Sequence, residues 1–90
     1  MPTVLFPRQL RAYTAGDAQY NASSTNLRDV ISELFSKYPK LVGPVILPDG
    51  RLQPFVGLFV SGTHASLDAA EAHPLQHDSE VALVSAVAGG

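Results

Sequence analysis

The chain closes on Ala86-Val87-Ala88-Gly89-Gly90. None of these side chains offers a nucleophile, a metal ligand or a charge, so the group there able to do chemistry is the carboxylate of Gly90. Glycine suits a reactive end, because without a Cβ its backbone can approach a surface closely and its acyl carbon stays unhindered. The competing reading is a frayed end, since chain termini fray by default and small residues tolerate it. Two successive glycines arise by chance in roughly one chain in two hundred, so the pair alone is a weak hint. The other chemistry-bearing residues are less organised. His73 and His77 are four apart, but Pro74 between them interrupts the helix that would make them a metal pair. His64 stands alone in a turn, and no metal site is assigned. Asp68, Glu71, Asp78 and Glu80 imply no pocket and read as a solvated loop. Ser61 and Ser85 would each need a base and an orienting third group that the sequence does not place. No catalytic residue is assigned, and the chain is not expected to be an enzyme.

The totals narrow the classes further. Ninety residues suit a single domain spanning 1–90, and 46% apolar residues suit a packed core. Net charge is −2, and the basic residues Arg8, Arg11, Arg28, Lys37, Lys40 and Arg51 are scattered, which gives nucleic acid no electrostatic footing. The absence of cysteine excludes a disulfide framework, a thiolate metal site and a cysteine nucleophile. MPTVLFPRQL lacks the basic start and long apolar stretch of a signal peptide, and no run approaches the length of a membrane span. A cytoplasmic domain, monomeric when free, is the expectation.

These groups must be positioned by a small set of elements. Thr3-Val4-Leu5-Phe6, broken by Pro7, reads as a first strand, and Ala18–Ala22 as a second, making an N-terminal hairpin. Leu27, Val30, Ile31, Leu34, Phe35 and Tyr38 fall at i, i+3, i+4, i+7, i+8 and i+11, which predicts an amphipathic helix. Ser24, Thr25 and Asn26 offer N-cap oxygens, and Pro39 stops the helix. Lys40 to Gln53 is irregular, with Val45-Ile46-Leu47 either a short strand or a plug for the core. FVGLFVS (Phe55–Ser61) is a strand with Val56, Leu58 and Val60 on one face. Gly62-Thr63 turns the chain, Ser66–Ala70 suits one helical turn, and Val81–Ala86 forms a last strand running into the tail. One helix and four to five strands cover each other most economically as an α+β fold of β-grasp (ubiquitin-like) type, a mixed sheet with the helix across one face.

VLFPRQLR, the helix TNLRDVISELFSKYP, FVGLFVSG and DSEVALVSAVAGG occur in the order of the ubiquitin-like sulfur carriers, and the chain resembles the MoaD/ThiS family over essentially its whole length. The AVAGG ending and the long stretch after the helix look more like the members serving cysteine synthesis or molybdopterin than the thiamine type. The chain departs from the family at Asp78-Ser79-Glu80, where a glycine often separates the acids, and at Val84-Ser85-Ala86-Val87, where the lead to the tail is often proline-rich. The resemblance implies a carrier whose C-terminal carboxylate becomes a thiocarboxylate.

A carboxylate is a poor electrophile, so sulfur can be attached only after activation. Adenylation of Gly90 by ATP creates a leaving group, and a sulfide or persulfide source then displaces AMP. The tail, Ala86, Val87, Ala88 and Gly89, is expected to be flexible and slim enough to thread a partner's channel. The expected partners are an E1-like adenylating and sulfurtransferase enzyme, which uses ATP and Mg²⁺, and a downstream sulfur-accepting synthase; no cofactor is intrinsic. If Val56, Leu58 and Val60 face the helix, then Phe55 and Phe59 face away from it, joined by Val84 and by Leu5 or Pro7, as a docking patch. The rival is that the Lys40–Gln53 segment covers the two phenylalanines. The rival function is a ubiquitin-like modifier joined through Gly90 to target lysines. The pathway served, the final acceptor and whether Gly90 is encoded or exposed by processing stay open.

Overall fold

The computed structural model describes residues 1–65 and 74–85. Strand β1 (Thr3–Leu5) is followed by a 3-10 helix, Arg8–Tyr13, and by β2 (Gln19–Asn21). Helix α1 (Leu27–Lys37) comes next, then β3 (Val56–Val60), β4 (Thr63–Ala65) and β5 (Glu80–Ser85). The five strands form one mixed sheet in the order β2-β1-β5-β3-β4. β1 runs parallel to β5, while β1/β2, β3/β5 and β3/β4 are antiparallel. The expected fold, a mixed sheet with one main helix, is the one observed.

α1 forms where its pattern predicts. Asn26 is the N-cap: its Oδ1 accepts from the Asp29 N–H at 2.9 Å, and its Nδ2 donates to Asp29 Oδ2 at 2.9 Å. Asp29 in the first turn and Lys37 in the last oppose the helix dipole. Leu27, Val30, Ile31 and Leu34 are buried, as are Val4, Leu58, Val81 and Leu83 from the sheet, and together they make the core. After Pro39 the chain is irregular, yet Leu41, Val45 and Ile46 are fully buried. Ile46 makes isolated bridges to Val42 and Leu52, so this stretch is a core plug and not a strand of the sheet.

Two elements depart from the sequence reading. The 3-10 helix Arg8–Tyr13 interrupts the N-terminal hairpin and buries Leu10. The sequence sets His64 in a turn, but the residue lies on β4, because the turn is Ser61-Gly62. Both turn residues have positive φ (47° and 88°), as a two-residue type I′ hairpin requires. The helical turn expected at Ser66–Ala70 and the tail Ala86–Gly90 lie outside the described residues.

Candidate docking face and tail exit

The site begins with the alternation of β5. Val81 and Leu83 are buried against the helix side, so Ala82 and Val84 stand on the opposite face. β3 alternates in the same phase: Leu58 is buried, Val56 and Val60 pack on the core, and Gly57 and Phe59 face away. In register, Gln19 faces Leu5, Leu5 faces Ala82, Ala82 faces Phe59, and Phe59 faces His64. This row crosses all five strands on the face away from α1. The ring of Phe59 meets that of His64 edge-on at 5.4 Å.

Beside the row, Val84 pairs with Gly57, and Phe55 immediately precedes β3. Among the described residues three large apolar side chains are exposed, Met1, Phe55 and Val84, and the last two sit here at 39% and 42% exposure. The register therefore brings the predicted patch residues Leu5, Phe59 and Val84 onto one face, while Phe55 is exposed in the turn just before β3. Phe55 is exposed, while Leu41, Val45 and Ile46 of the Lys40–Gln53 segment are buried in the core. Pro7 is peripheral: it lies two residues past Leu5, as Val84 lies two past Ala82, but it already leads into the 3-10 helix, its carbonyl accepting from the Leu10 N–H at 3.0 Å. Ser85 pairs with Val56, so the last described residue of β5 lies at the margin of this apolar face. The tail residues Ala86, Val87, Ala88, Gly89 and Gly90 themselves lie outside the described residues.

The strand alternation in the sequence already sets Gly57 on the face of Phe59 without giving it a role in the patch, whereas His64 is not legible as a member of this face. A glycine in mid-strand was the available signal for the first; a Ser-Gly turn flanking Thr63-His64-Ala65 was the signal for the second. A cleft of about 630 Å³ opens nearby, with Arg28, Arg51, Gln53, Gly57 and His64 among its lining. Arg51 is engaged there with Asp49 at 2.8 Å.

The charged and phenolic groups in the body of the molecule are used structurally. Glu33 accepts from Tyr20 Oη at 2.8 Å, from the Ser23 N–H at 3.1 Å, from the Ser24 N–H at 2.7 Å and from both serine hydroxyls. Burial by itself would raise the Glu33 pKa. The Ser24 hydroxyl, the Ser23 N–H, Tyr20 and the Ser24 N–H outweigh burial and hold the pKa down to about 2. Burial, the hydrogen bond to Asp17 (2.7 Å) and the charge of Asp17 push the Tyr38 phenol up to about 12. Among the described residues no three His, Asp or Glu side chains come together to hold a metal ion. No helix among them is long and apolar enough to cross a membrane.

The model of the ThiS family matches residues 4–90. The chain belongs to the ThiS family. That family comprises ubiquitin-like sulfur carriers and small modifiers, whose members are small carrier proteins and not catalysts. Solved structures agree on the β-grasp fold. CysO from Mycobacterium tuberculosis is 28% identical, with a TM-score of 0.78, covering 97% of this chain and 100% of that one. SAMP1 from Haloferax volcanii is 21% identical, with a TM-score of 0.81 and coverage of 99% and 98%. A chain of the BexX/CysO complex from Amycolatopsis orientalis is 20% identical, with a TM-score of 0.82 and full coverage of both. No curated protein matches the chain.

Proposed function

We propose that this chain is a sulfur carrier whose Gly90 carboxylate is the reactive group. The observation that carries the reading is that the ThiS-family match runs through Gly90 itself. A carboxylate oxygen attacks the α-phosphorus of ATP, pyrophosphate leaves, and an acyl-adenylate forms. Hydrosulfide then attacks the acyl carbon and expels AMP, leaving a thiocarboxylate and a proton. ATP and Mg²⁺ belong to an E1-like partner enzyme, which must keep water from the adenylate. That requirement calls for a slim tail, and Gly89 and Ala88 supply it. A downstream synthase takes the sulfur, and the dependence on ATP assigns the reaction to the cytoplasm.

The activating enzyme docks on the apolar face formed by Leu5, Phe55, Phe59 and Val84. Exposed apolar surface beside the exit of β5 supports this, since a partner that holds the tail must rest near where the tail begins. The assembly of CysO with BexX in Amycolatopsis orientalis supports a separate protein as partner.

Intact mass of the chain after incubation with an E1-like enzyme, Mg-ATP and sulfide tests the reading. The expected result is a gain equal to sulfur replacing oxygen, absent from a chain lacking Gly90. No gain with the cognate enzyme overturns it. Conjugates through target lysines in place of the thiocarboxylate would make the chain a modifier.

A further inference from the structure

Gly57 is the least expected residue of the apolar face. It lies inside β3, where glycine is disfavoured by about 0.5–1 kcal/mol relative to alanine. The fold does not demand it. Its φ is not among the positive values of the chain, and a Cβ built there would meet Phe59 Cε1 at 3.9 Å and the Val84 carbonyl oxygen at 4.0 Å, which are ordinary contacts. The four other glycines of the described residues, Gly16, Gly43, Gly50 and Gly62, all occupy positive φ, where side chains are strained. Gly57 alone among them has no backbone reason to be glycine.

Its surroundings suggest the reason. Phe59 is its neighbour along the same face of β3, Phe55 lies in the turn just before the strand, and Val84 is its partner on β5. The missing side chain thus leaves a gap with the ring edge of Phe59 and the Val84 carbonyl oxygen at its rim, and it opens toward the cleft that Gln53 and His64 also line. Glycine within a strand often marks a place where another molecule approaches the backbone closely.

The length of the tail limits what that molecule can be. Five residues, 86–90, follow Ser85. Fully extended they reach at most about 18 Å at roughly 3.6 Å per residue. An enzyme that holds the Gly90 carboxylate in its active site therefore has its body close to Ser85, and the pair Gly57–Val84 is the next one in from Ser85–Val56.

We propose that Gly57 is the receiving notch of the docking face, filled by a side chain of the enzyme that adenylates Gly90. This rests on the sulfur-carrier reading. The notch makes Gly57 a residue on which partner recognition and fold stability pull in opposite directions. Any side chain at this position adds strand propensity and obstructs the partner.

The full-length chain carrying Gly57→Ala or Gly57→Val is tested for binding to the cognate adenylating enzyme, for sulfur gain by intact mass and for thermal unfolding. Both variants are expected to melt at or above the temperature of the unsubstituted chain. Affinity for the enzyme is expected to fall about tenfold for alanine and about a hundredfold for valine, with sulfur gain slowed in proportion at limiting carrier. Valine binding within twofold of the unsubstituted chain, with sulfur gain intact, overturns the notch and leaves the carrier reading standing. Unchanged enzyme binding with loss of binding to the sulfur acceptor, or with loss of a dimer of this chain, assigns the gap to another occupant and also overturns the proposal. If the unsubstituted chain neither binds the enzyme nor gains sulfur, the carrier reading fails and the proposal fails with it. Should the valine variant lose its cooperative melt, the alanine variant decides.

Discussion

Glu33 is a carboxylate whose charge is fully engaged in holding two elements together. Its oxygens are occupied by Tyr20, Ser23 and Ser24, so it ties the end of β2 and the loop behind it to the exposed side of α1. Hydrogen bonds to an ionised acceptor are stronger than neutral ones, and removing the charge weakens all of them together. With a folded pKa of about 2 against an ordinary 4.5, the folded state binds the proton less tightly than the unfolded state does. The stabilisation from Glu33 is therefore complete above about pH 4.5 and is lost as pH falls through 2. Glu33→Gln is expected to cost on the order of 1–3 kcal/mol at neutral pH. Its stability is also expected to fall less steeply between pH 5 and 2 than that of the unsubstituted chain. Urea midpoints measured across that range check both statements; parallel pH curves would show that Glu33 contributes nothing through its charge.

At the scale of elements, α1 is the clearest case of local chemistry agreeing with tertiary demand. Its periodic apolar face meets the sheet, and Asn26 satisfies an N–H that the first turn leaves without a helical partner. Asn26→Ala is expected to lower stability by about 1 kcal/mol. Asn26→Asp keeps the side-chain acceptor and adds a charge favourable to the helix dipole, and it is expected to restore most of that loss despite the carboxylate of Asp29 beside it. Chemical denaturation of both variants separates a capping role from simple loss of surface contacts. This helix was legible in the sequence because six apolar residues repeat over three turns. β3 and β5 were legible because their alternation is long enough to set a phase, and that phase correctly sends Phe59 and Val84 away from the helix. β4 was not, since three residues, Thr63-His64-Ala65, carry no period, and only the Ser61-Gly62 turn specifies the hairpin. The 3-10 helix Arg8–Tyr13 was hidden for a related reason: it buries one residue, Leu10, and so leaves no repeating stripe. Val45 and Ile46 could not be assigned to an element because their burial is decided by the cavity they fill and not by any neighbour in sequence. Gly57 was visible as a residue, but its meaning required the register that sets it opposite Val84.

The whole molecule is organised around a strand made last. β5 lies at the centre of the sheet, parallel to β1 on one side and antiparallel to β3 on the other. Without it the sheet would divide into two hairpins, β2-β1 and β3-β4, and two-stranded hairpins are marginal in water. Val81 and Leu83 would also leave the core, each worth about 1.5–3 kcal/mol of burial. Against a total stability on the order of 5–15 kcal/mol for a small domain, that loss is decisive. The described register runs as far as Ser85, and five residues follow it in the sequence. Two truncations separate these roles. A chain ending at Ser85 is expected to unfold cooperatively within about 0.5 kcal/mol of the full chain, while failing to gain sulfur. A chain ending at Ser79 is expected to show no cooperative transition in urea. If the chain ending at Ser79 still folds, β5 is not the keystone of the sheet; if the chain ending at Ser85 loses several kcal/mol, residues 86–90 serve the fold as well as the proposed chemistry. The expected pattern bears on the proposed carrier role: a partner drawing Gly90 into an active site would load the central strand directly, and the predicted cost of losing that strand sets what such a partner has to leave undisturbed.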